Sequence, residues 1–349
     1  MAKASTTAPK TVADLGEFGL IERIRTRLPV GLDSRIVVPI GDDVAAFKPT
    51  PGKVQLATCD IQVEGRHFDL SYISAQELGR RSAAINLSDI AAMGGHPTFA
   101  LVSLALPETT PLDWVDQLYV GINEELGRFE AAVVGGNVSG SDRETIIDIT
   151  MLGEVEEGQV LTRGHARPGD AVLVTGTLGA SLIGRLALEQ GLDRDDDAIG
   201  RVVHRHATPT PRVHEGQAIA ETRLATAMID VSDGLAGDLG HLCEQSGVGV
   251  ELVAAQIPID DATLKIAALL GEDPLEAALH GGEDYELLIT CPQAQSAALA
   301  RTVGERTGTA VTEIGRVVAE PDMTLLLTDG SRRSLEPRGW DHFLRPGKP

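Results

Sequence analysis

TAMIDVSDGLAGDLG, residues 226–240, reads as a strand end, an acidic turn and the start of a helix. Ala227, Met228 and Ile229 form an apolar lead-in, Asp230, Ser232 and Asp233 arrive within four residues, and Gly234 opens an amphipathic run. A carboxylate at the mouth of a buried strand is costly to desolvate, and two so close repel each other, unless positive charge meets them. A divalent cation resolves both problems. Read alone, the segment serves equally as a helix cap or as a metal site; recurrence of the pattern along the chain favours the second.

The chain has 349 residues, 42% of them hydrophobic, which suits a globular protein with two sizeable cores. Lys+Arg 30 against Asp+Glu 51 leaves a formal net charge of -21, so the long-range field repels nucleic acid and anionic membrane, and neither is an expected partner. Cys59, Cys243 and Cys291 show no CxxC spacing, which argues against a disulfide framework or a thiolate zinc site and fits a reducing cytoplasm. No apolar stretch follows MAKASTTAPK, so residues 1–15 read as a flexible tail, and no segment approaches the roughly 18 apolar residues of a membrane span.

Glu17–Leu28 is expected to be a packing helix with Phe18, Leu20, Ile21, Ile24 and Leu28 near one face. A strand at Ile36–Ile40 runs into a second acidic turn, Gly41, Asp42 and Asp43, and a strand at Val54–Cys59 delivers a third at Asp60, with Thr58 beside it. His67, next to Arg66, is by spacing alone more often a surface or packing residue. Ala75–Met93 is helical, with Asn86 and Asp89 on a shared face. A strand Thr98–Leu106, a helix Asp113–Phe129, a strand Ala131–Val134 feeding Gly135, Gly136 and Asn137, and a strand Thr145–Leu152 complete a first domain, 16–156, of α/β or α+β type.

The second domain, 157–349, opens with a strand at Ala171–Val174 and a glycine loop, Thr175–Ala180, that lacks the GxxxxGK[ST] pattern and reads more simply as a packing turn than as a phosphate cradle. Asp193–Asp197 reads as a solvated loop, and His204, Arg205, His206 and His214 as a basic crossing without zinc, because no His stands at position 218. His280–Asp284 is a fourth glycine-flanked acidic turn, before a strand at Tyr285–Thr290. Strands near Val311–Val318 and Met323–Leu327 precede a tail that carries Trp340.

Asp43, Asp60, Asp89, Asp230 and Asp233 each stand where a regular element starts or stops, or on a buried helical face. Oxygen-only donors of this kind favour Mg²⁺ over zinc, and an acidic protein that gathers Mg²⁺ can receive nucleotide phosphates through it. The residues therefore point to a Mg²⁺-dependent nucleotide enzyme; a non-catalytic cation-binding scaffold is the alternative from another class.

GDDVA at Gly41, TCD at Thr58, EGRHF at Glu64, INLSDIAAMG at Ile85, LTRGHARPGD at Leu161, IDVSDGL at Ile229 and GGEDYEL at Gly281 together resemble the thiamine-monophosphate kinase family, in order and over nearly the whole chain. The resemblance implies a two-domain α/β (α+β) synthetase-like fold of the aminoimidazole ribonucleotide synthetase superfamily. Its N-terminal mixed α/β domain, which binds ATP and Mg²⁺, pairs its sheet with that of a second subunit in a homodimer, and its C-terminal domain is α+β. It implies ATP-dependent conversion of thiamine monophosphate to thiamine diphosphate by direct in-line transfer, with no covalent protein nucleophile. Carried over by motif, Asp43, Thr58, Cys59 through its main chain, Asp60, Asp89, Asp230 and Asp233 would hold several Mg²⁺ ions. Gly136, Asn137, Arg163 and Ser232 would contact ATP, and His67, Glu283 and Trp340 would face thiamine monophosphate. Asn137 departs from the family's usual Gly-Gly-Asp: it keeps an oxygen but drops the charge, which predicts a raised Mg²⁺ requirement. Within the superfamily the rival is an ATP-dependent amidine-forming synthetase.

Overall fold

In a computed structural model, which describes residues 11–29 and 33–337, the chain divides into two units. The first consists of Met1–Pro51, Ala57–Asn86 and Pro97–Gly153, the second of Gly52–Leu56, Leu87–His96 and Glu154–Pro349. Trp340 lies outside the described residues.

The elements up to the end of the first sheet are α1 (Val12–Arg27), β1 (Ile36–Val38), β2 (Ala46–Phe47), β3 (Lys53–Val63), α2 (Ala75–Ala92), β4 (His96–Pro107), α3 (Leu112–Gly127), β5 (Ala132–Ser141) and β6 (Ile146–Glu156). In α1, Leu20 and Ile24 are buried while Phe18 is 83% exposed. Two residues along a helix is about 200° around it, so Phe18 cannot share the face of Leu20, contrary to the expectation above. Helix α3 buries Val115, Leu118, Ile122 and Leu126 at helical spacing. Helix α2 carries fully buried Ala83, Ala84, Leu87 and Ala91, the signature of a helix enclosed on most sides.

Strands β1 and β2 form an antiparallel pair, and a four-stranded sheet runs in the order β3-β6-β4-β5. Strands β4 and β5 are parallel, a βαβ unit closed by α3. Gly135, Gly136 and Asn137, expected just beyond the strand Ala131–Val134, lie inside β5, and the register shifts between the pairs Ala100↔Val133 and Leu101↔Gly135. Gly136 has φ 152, and a Cβ there would stand 1.9 Å from the Val102 carbonyl oxygen, so only glycine lets the strand continue.

The second sheet and its helices comprise β7 (Asp170–Thr175), α4 (Ala180–Glu189), α5 (Asp197–Ala207), α6 (Val213–Thr222), β8 (Ala227–Asp230), α7 (Leu235–Ser246), β9 (Gly249–Val253), α8 (Asp261–Leu270), α9 (Pro274–His280), β10 (Leu287–Pro292), α10 (Ser296–Thr307), β11 (Val311–Val318), β12 (Met323–Leu326) and β13 (Arg332–Ser334). The sheet order is β13-β12-β9-β11-β7-β10-β8. Its pairs are antiparallel except β9 with β12, an α+β arrangement. Val172, Val174, Ile229, Leu252, Leu288 and Ile314 share one core with Leu235, Leu239 and Leu242 of α7. The acidic run is more than a solvated loop, because the Asp196 carboxylate accepts the Ala198 and Ile199 N–H groups and caps α5. His204, Arg205 and His206 form the last turn of that helix.

Leu288 is fully buried on β10, between Val174 of β7 and Ile229 of β8. Leu288→Ala is expected to cost about 2–5 kcal/mol of stability, read as a lowered urea midpoint.

Candidate active site

In the second unit, β8 ends on Asp230, which is buried and accepts a 2.7 Å hydrogen bond from the Ser88 hydroxyl near the C-terminal end of α2. Asp89, the next residue on that helix, is half-buried. The chain then turns through Ser232, Asp233 and Gly234 into α7, whose first turn carries Asp238. Asp238 is 2% exposed, and its carboxylate accepts the Asp233 N–H at 3.0 Å. Burial, reinforced by the like charges of Asp230 and Asp233, pushes its pKa up to about 8. By sequence Asp238 reads only as a helical residue; the available signal is a third carboxylate so soon after Asp233, one turn into the helix.

A second turn, Gly281–Tyr285, is stitched to this one by backbone hydrogen bonds. Glu283 N–H donates to the Ser232 carbonyl at 2.7 Å, Tyr285 N–H to Val231 at 2.8 Å, and Val231 N–H to Glu286 at 2.8 Å. A Cβ at Gly282 would lie 2.5 Å from the Ser232 carbonyl oxygen, so glycine is required for the two turns to approach. Glu283 (φ 70) and Tyr285 (φ 52) hold left-handed backbone, which costs side-chain-bearing residues on the order of 1–3 kcal/mol each and recurs at functional sites. Between them the buried Asp284 accepts the Gly179 N–H at 2.7 Å and the Ser181 N–H at 3.2 Å, filling the N-terminus of α4. The glycine loop thus offers those amides to a carboxylate of its own chain, in keeping with a packing turn. Burial pushes the Asp284 pKa up to about 7.

Arg163 has an exposed side chain, and its carbonyl accepts the Ser246 hydroxyl at 3.3 Å. A cleft of about 1010 Å³ opens elsewhere in this unit, lined by Thr177, Arg201, Arg205, Arg212, Asp260 and Thr309 among others and by none of the expected site residues. At its side Arg205 and Arg212 close on the fully buried Glu286 at 2.8 and 2.6 Å. This is an internally satisfied ion cluster, and the size of the cleft does not make it the site.

In the first unit, Asp43 sits in an exposed turn and donates its N–H to the Asp42 carboxylate at 2.8 Å. Thr58, Cys59 and Asp60 lie on β3. The Cys59 thiol donates to Asp148 at 3.1 Å, and that bond raises its pKa. Gly136 and Asn137 lie on β5, the opposite edge of the sheet from β3. A Cβ at Gly135 would stand 3.9 Å from Ala45 Cβ, so the segment just after Asp43 passes over β5. The sheet therefore groups the Asp43 turn with Gly136 and Asn137 and sets Thr58–Asp60 apart. Half-buried His67 accepts the Val63 N–H on Nδ1 at 3.0 Å, which places the proton of a neutral ring on Nε2. Asn86 is fully buried, with Nδ2 donating to Ser82 and Oδ1 without a hydrogen-bond partner.

Among the described residues, no three His, Cys, Asp or Glu side chains stand in a group that could hold a metal ion. The donor type fits Mg²⁺ all the same: Asp230 and Asp233 are carboxylate oxygen donors, both near enough to Asp238 for their charges to raise its pKa.

Residues 41–155 match the AIR synthase related protein N-terminal domain, and residues 167–328 match the corresponding C-terminal domain. A thiamine-monophosphate kinase of Aquifex aeolicus (strain VF5) is 36% identical over 330 residues, 95% of this chain and 99% of that protein. The chain belongs to the thiamine-monophosphate kinase family. A solved thiamine-monophosphate kinase from Stenotrophomonas maltophilia K279a superposes on this family member with a TM-score of 0.80 at 34% identity, covering 91% of this chain and 98% of that one. AaThiL complexed with AMPPCP and TMP superposes with a TM-score of 0.74 at 35% identity, covering 97% and 100%. The two-domain mixed α/β architecture is the fold of these kinases.

The raised Asp284 pKa makes stability pH-dependent. A carboxyl whose folded pKa exceeds its unfolded value of about 4 contributes stability that is complete below pH 4 and lost as pH rises through the folded value near 7. Asp284→Asn is expected to remove on the order of 2–4 kcal/mol of pH dependence between pH 4 and 8, measured by urea unfolding across that range.

Proposed function

We propose that this chain transfers the γ-phosphoryl group of ATP to the phosphate of thiamine monophosphate, giving thiamine diphosphate and ADP. The observation that carries this reading is the hydrogen-bonded union of the Asp230–Gly234 and Gly281–Tyr285 turns. It fixes Ser232, assigned to ATP, next to Glu283, assigned to the acceptor. In-line transfer between two substrates needs that adjacency. The acceptor phosphate is ionised at neutral pH, so no protein nucleophile is required.

Asp89, Asp230 and Asp233 in the second unit, and Asp43, Thr58, the Cys59 main chain and Asp60 in the first, would hold several Mg²⁺ ions. When bound, Mg²⁺ neutralises phosphate oxygens and so lowers the repulsion between donor and acceptor. Ser88 orients the Asp230 carboxylate. Asp238 holds the Asp233 amide and thereby the shape of the turn. Gly136, Asn137, Arg163 and Ser232 receive ATP. By resemblance His67, Glu283 and Trp340, the last outside the described residues, would face thiamine monophosphate, where a carboxylate can balance the thiazolium charge. Residues 16–156 act as the ATP- and Mg²⁺-binding, dimerising domain of a cytoplasmic homodimer, with 157–349 as its C-terminal partner.

An ADP-release assay with thiamine monophosphate, thiamine and formylglycinamidine ribonucleotide tests the reaction. Turnover is expected with the first alone; turnover with the ribonucleotide would favour the amidine-forming rival, and failure to bind Mg²⁺-ATP in calorimetry a scaffold. Asp89→Asn and Asp233→Asn are expected to lower kcat about 10²-fold or more with an unchanged circular dichroism spectrum. Asn137→Asp is expected to lower the Mg²⁺ concentration for half-maximal rate, read from Mg²⁺ titrations of the two proteins.

A further inference from the structure

We infer that His206 is a positioning residue for Glu283, acting through its Nδ1 atom. The inference rests on the reading of Glu283 as a contact of thiamine monophosphate. His206 stands in the last turn of α5 and is 2% exposed. Its Nδ1 lies 3.1 Å from the Ser181 hydroxyl and 3.5 Å from Glu283 Oε2. Two residues back, His204 lines the open cleft together with Arg205; His206, about 200° away around the helix from His204, does not line it.

A buried imidazole is costly unless its polar atoms are met, and Ser181 and Glu283, which meet Nδ1, both belong to the frame of the Glu283 turn. Ser181 is held by its own N–H on Asp284, the residue after Glu283. Asp284 also takes the Gly179 N–H, so the α4 N-terminus, Asp284 and Ser181 form one rigid support. Glu283 is held by its N–H on the Ser232 carbonyl, and its carboxylate stands 3.5 Å from His206 Nδ1. Its left-handed backbone, φ 70, needs such over-determination to persist. The Glu283 side chain is 30% exposed, so it can be anchored by His206 and still present a charged edge outward. A carboxylate with one side fixed loses less freedom when a cationic ring arrives, and that saving falls on substrate affinity.

The alternative is a core histidine satisfied by Ser181, with no bearing on Glu283. Steady-state kinetics of the full-length protein with Mg²⁺-ATP separates the two. His206→Leu is expected to raise KM for thiamine monophosphate about tenfold while KM for ATP stays within about twofold. The same substitution in a Glu283→Gln background is expected to add less than about twofold. An equal rise in both KM values, or an effect undiminished in that background, overturns the positioning role. Should His206→Leu not fold, His206→Asn and His206→Gln decide, because Asn places an amide nitrogen near Nδ1 and Gln near Nε2. Positioning requires a near-normal KM for thiamine monophosphate in Asn and a raised one in Gln; equal values overturn it. If Glu283→Gln alone leaves that KM unchanged, the substrate reading of Glu283 falls and the inference with it. If Glu283→Gln raises KM and His206→Leu does not, only the inference falls.

Discussion

One hydrogen bond, from the Glu283 amide to the Ser232 carbonyl at 2.7 Å, joins two turns that lie about fifty residues apart in the chain. Its geometry sets the constraints on its neighbours. Gly282 must lack a side chain to bring the two turns together, and Glu283 and Tyr285 must accept left-handed backbone to leave and re-enter the second of them. Flanking bonds between Val231 and both Tyr285 and Glu286 hand the turn back to β10, which pairs with β8. These two loops are thus extensions of a sheet edge, held by the same ladder that builds the core.

The acidity of the chain has to be managed inside that frame, and the structure does it three ways. Glu286 is fully buried against two arginines, a compensated cluster beside an open cleft. Asp284 is fed by two backbone amides at a helix N-terminus, yet burial still drives its pKa upward. Asp238 meets amides as well, and burial, reinforced by Asp230 and Asp233, likewise pushes its pKa upward. This third group combines buried acidity with like charge, and it sits on the turn whose sequence suggests a cation.

The first unit solves a different problem, presenting polar groups from a regular sheet. Gly135–Asn137 remain in a strand because glycine tolerates the register shift and the close Val102 carbonyl. Thr58, Cys59 and Asp60 occupy the other edge, where Asp148 of the neighbouring β6 bonds the Cys59 thiol. A sheet separates residues on its two edges by the width of its intervening strands, on the order of 15 Å for three steps. Grouping by motif and grouping by space therefore differ within this unit.

Most of the stated elements were legible from periodicity: α2, α3, α7, β4, β7 and β11 fall within a few residues of their expected places, because apolar spacing along one segment reports which face it buries. The motifs that name the family were likewise present in the linear order, as were the acidic turns. Adjacency between separate segments was not. Ser88 meets Asp230 across 142 residues and Ser181 meets His206 across 25, while the burial of the Asp238 carboxyl depends on how the turn before α7 folds back over that helix. The chain by itself determined most of the strands and helices and which family they spell, since each of these is written in local spacing and residue type. Tertiary structure alone decided which side chains stand together, which carboxylates are compensated and which glycines are obligatory. Those properties arise from desolvation and close approach between segments that meet only in the folded chain, and neither has a local signature.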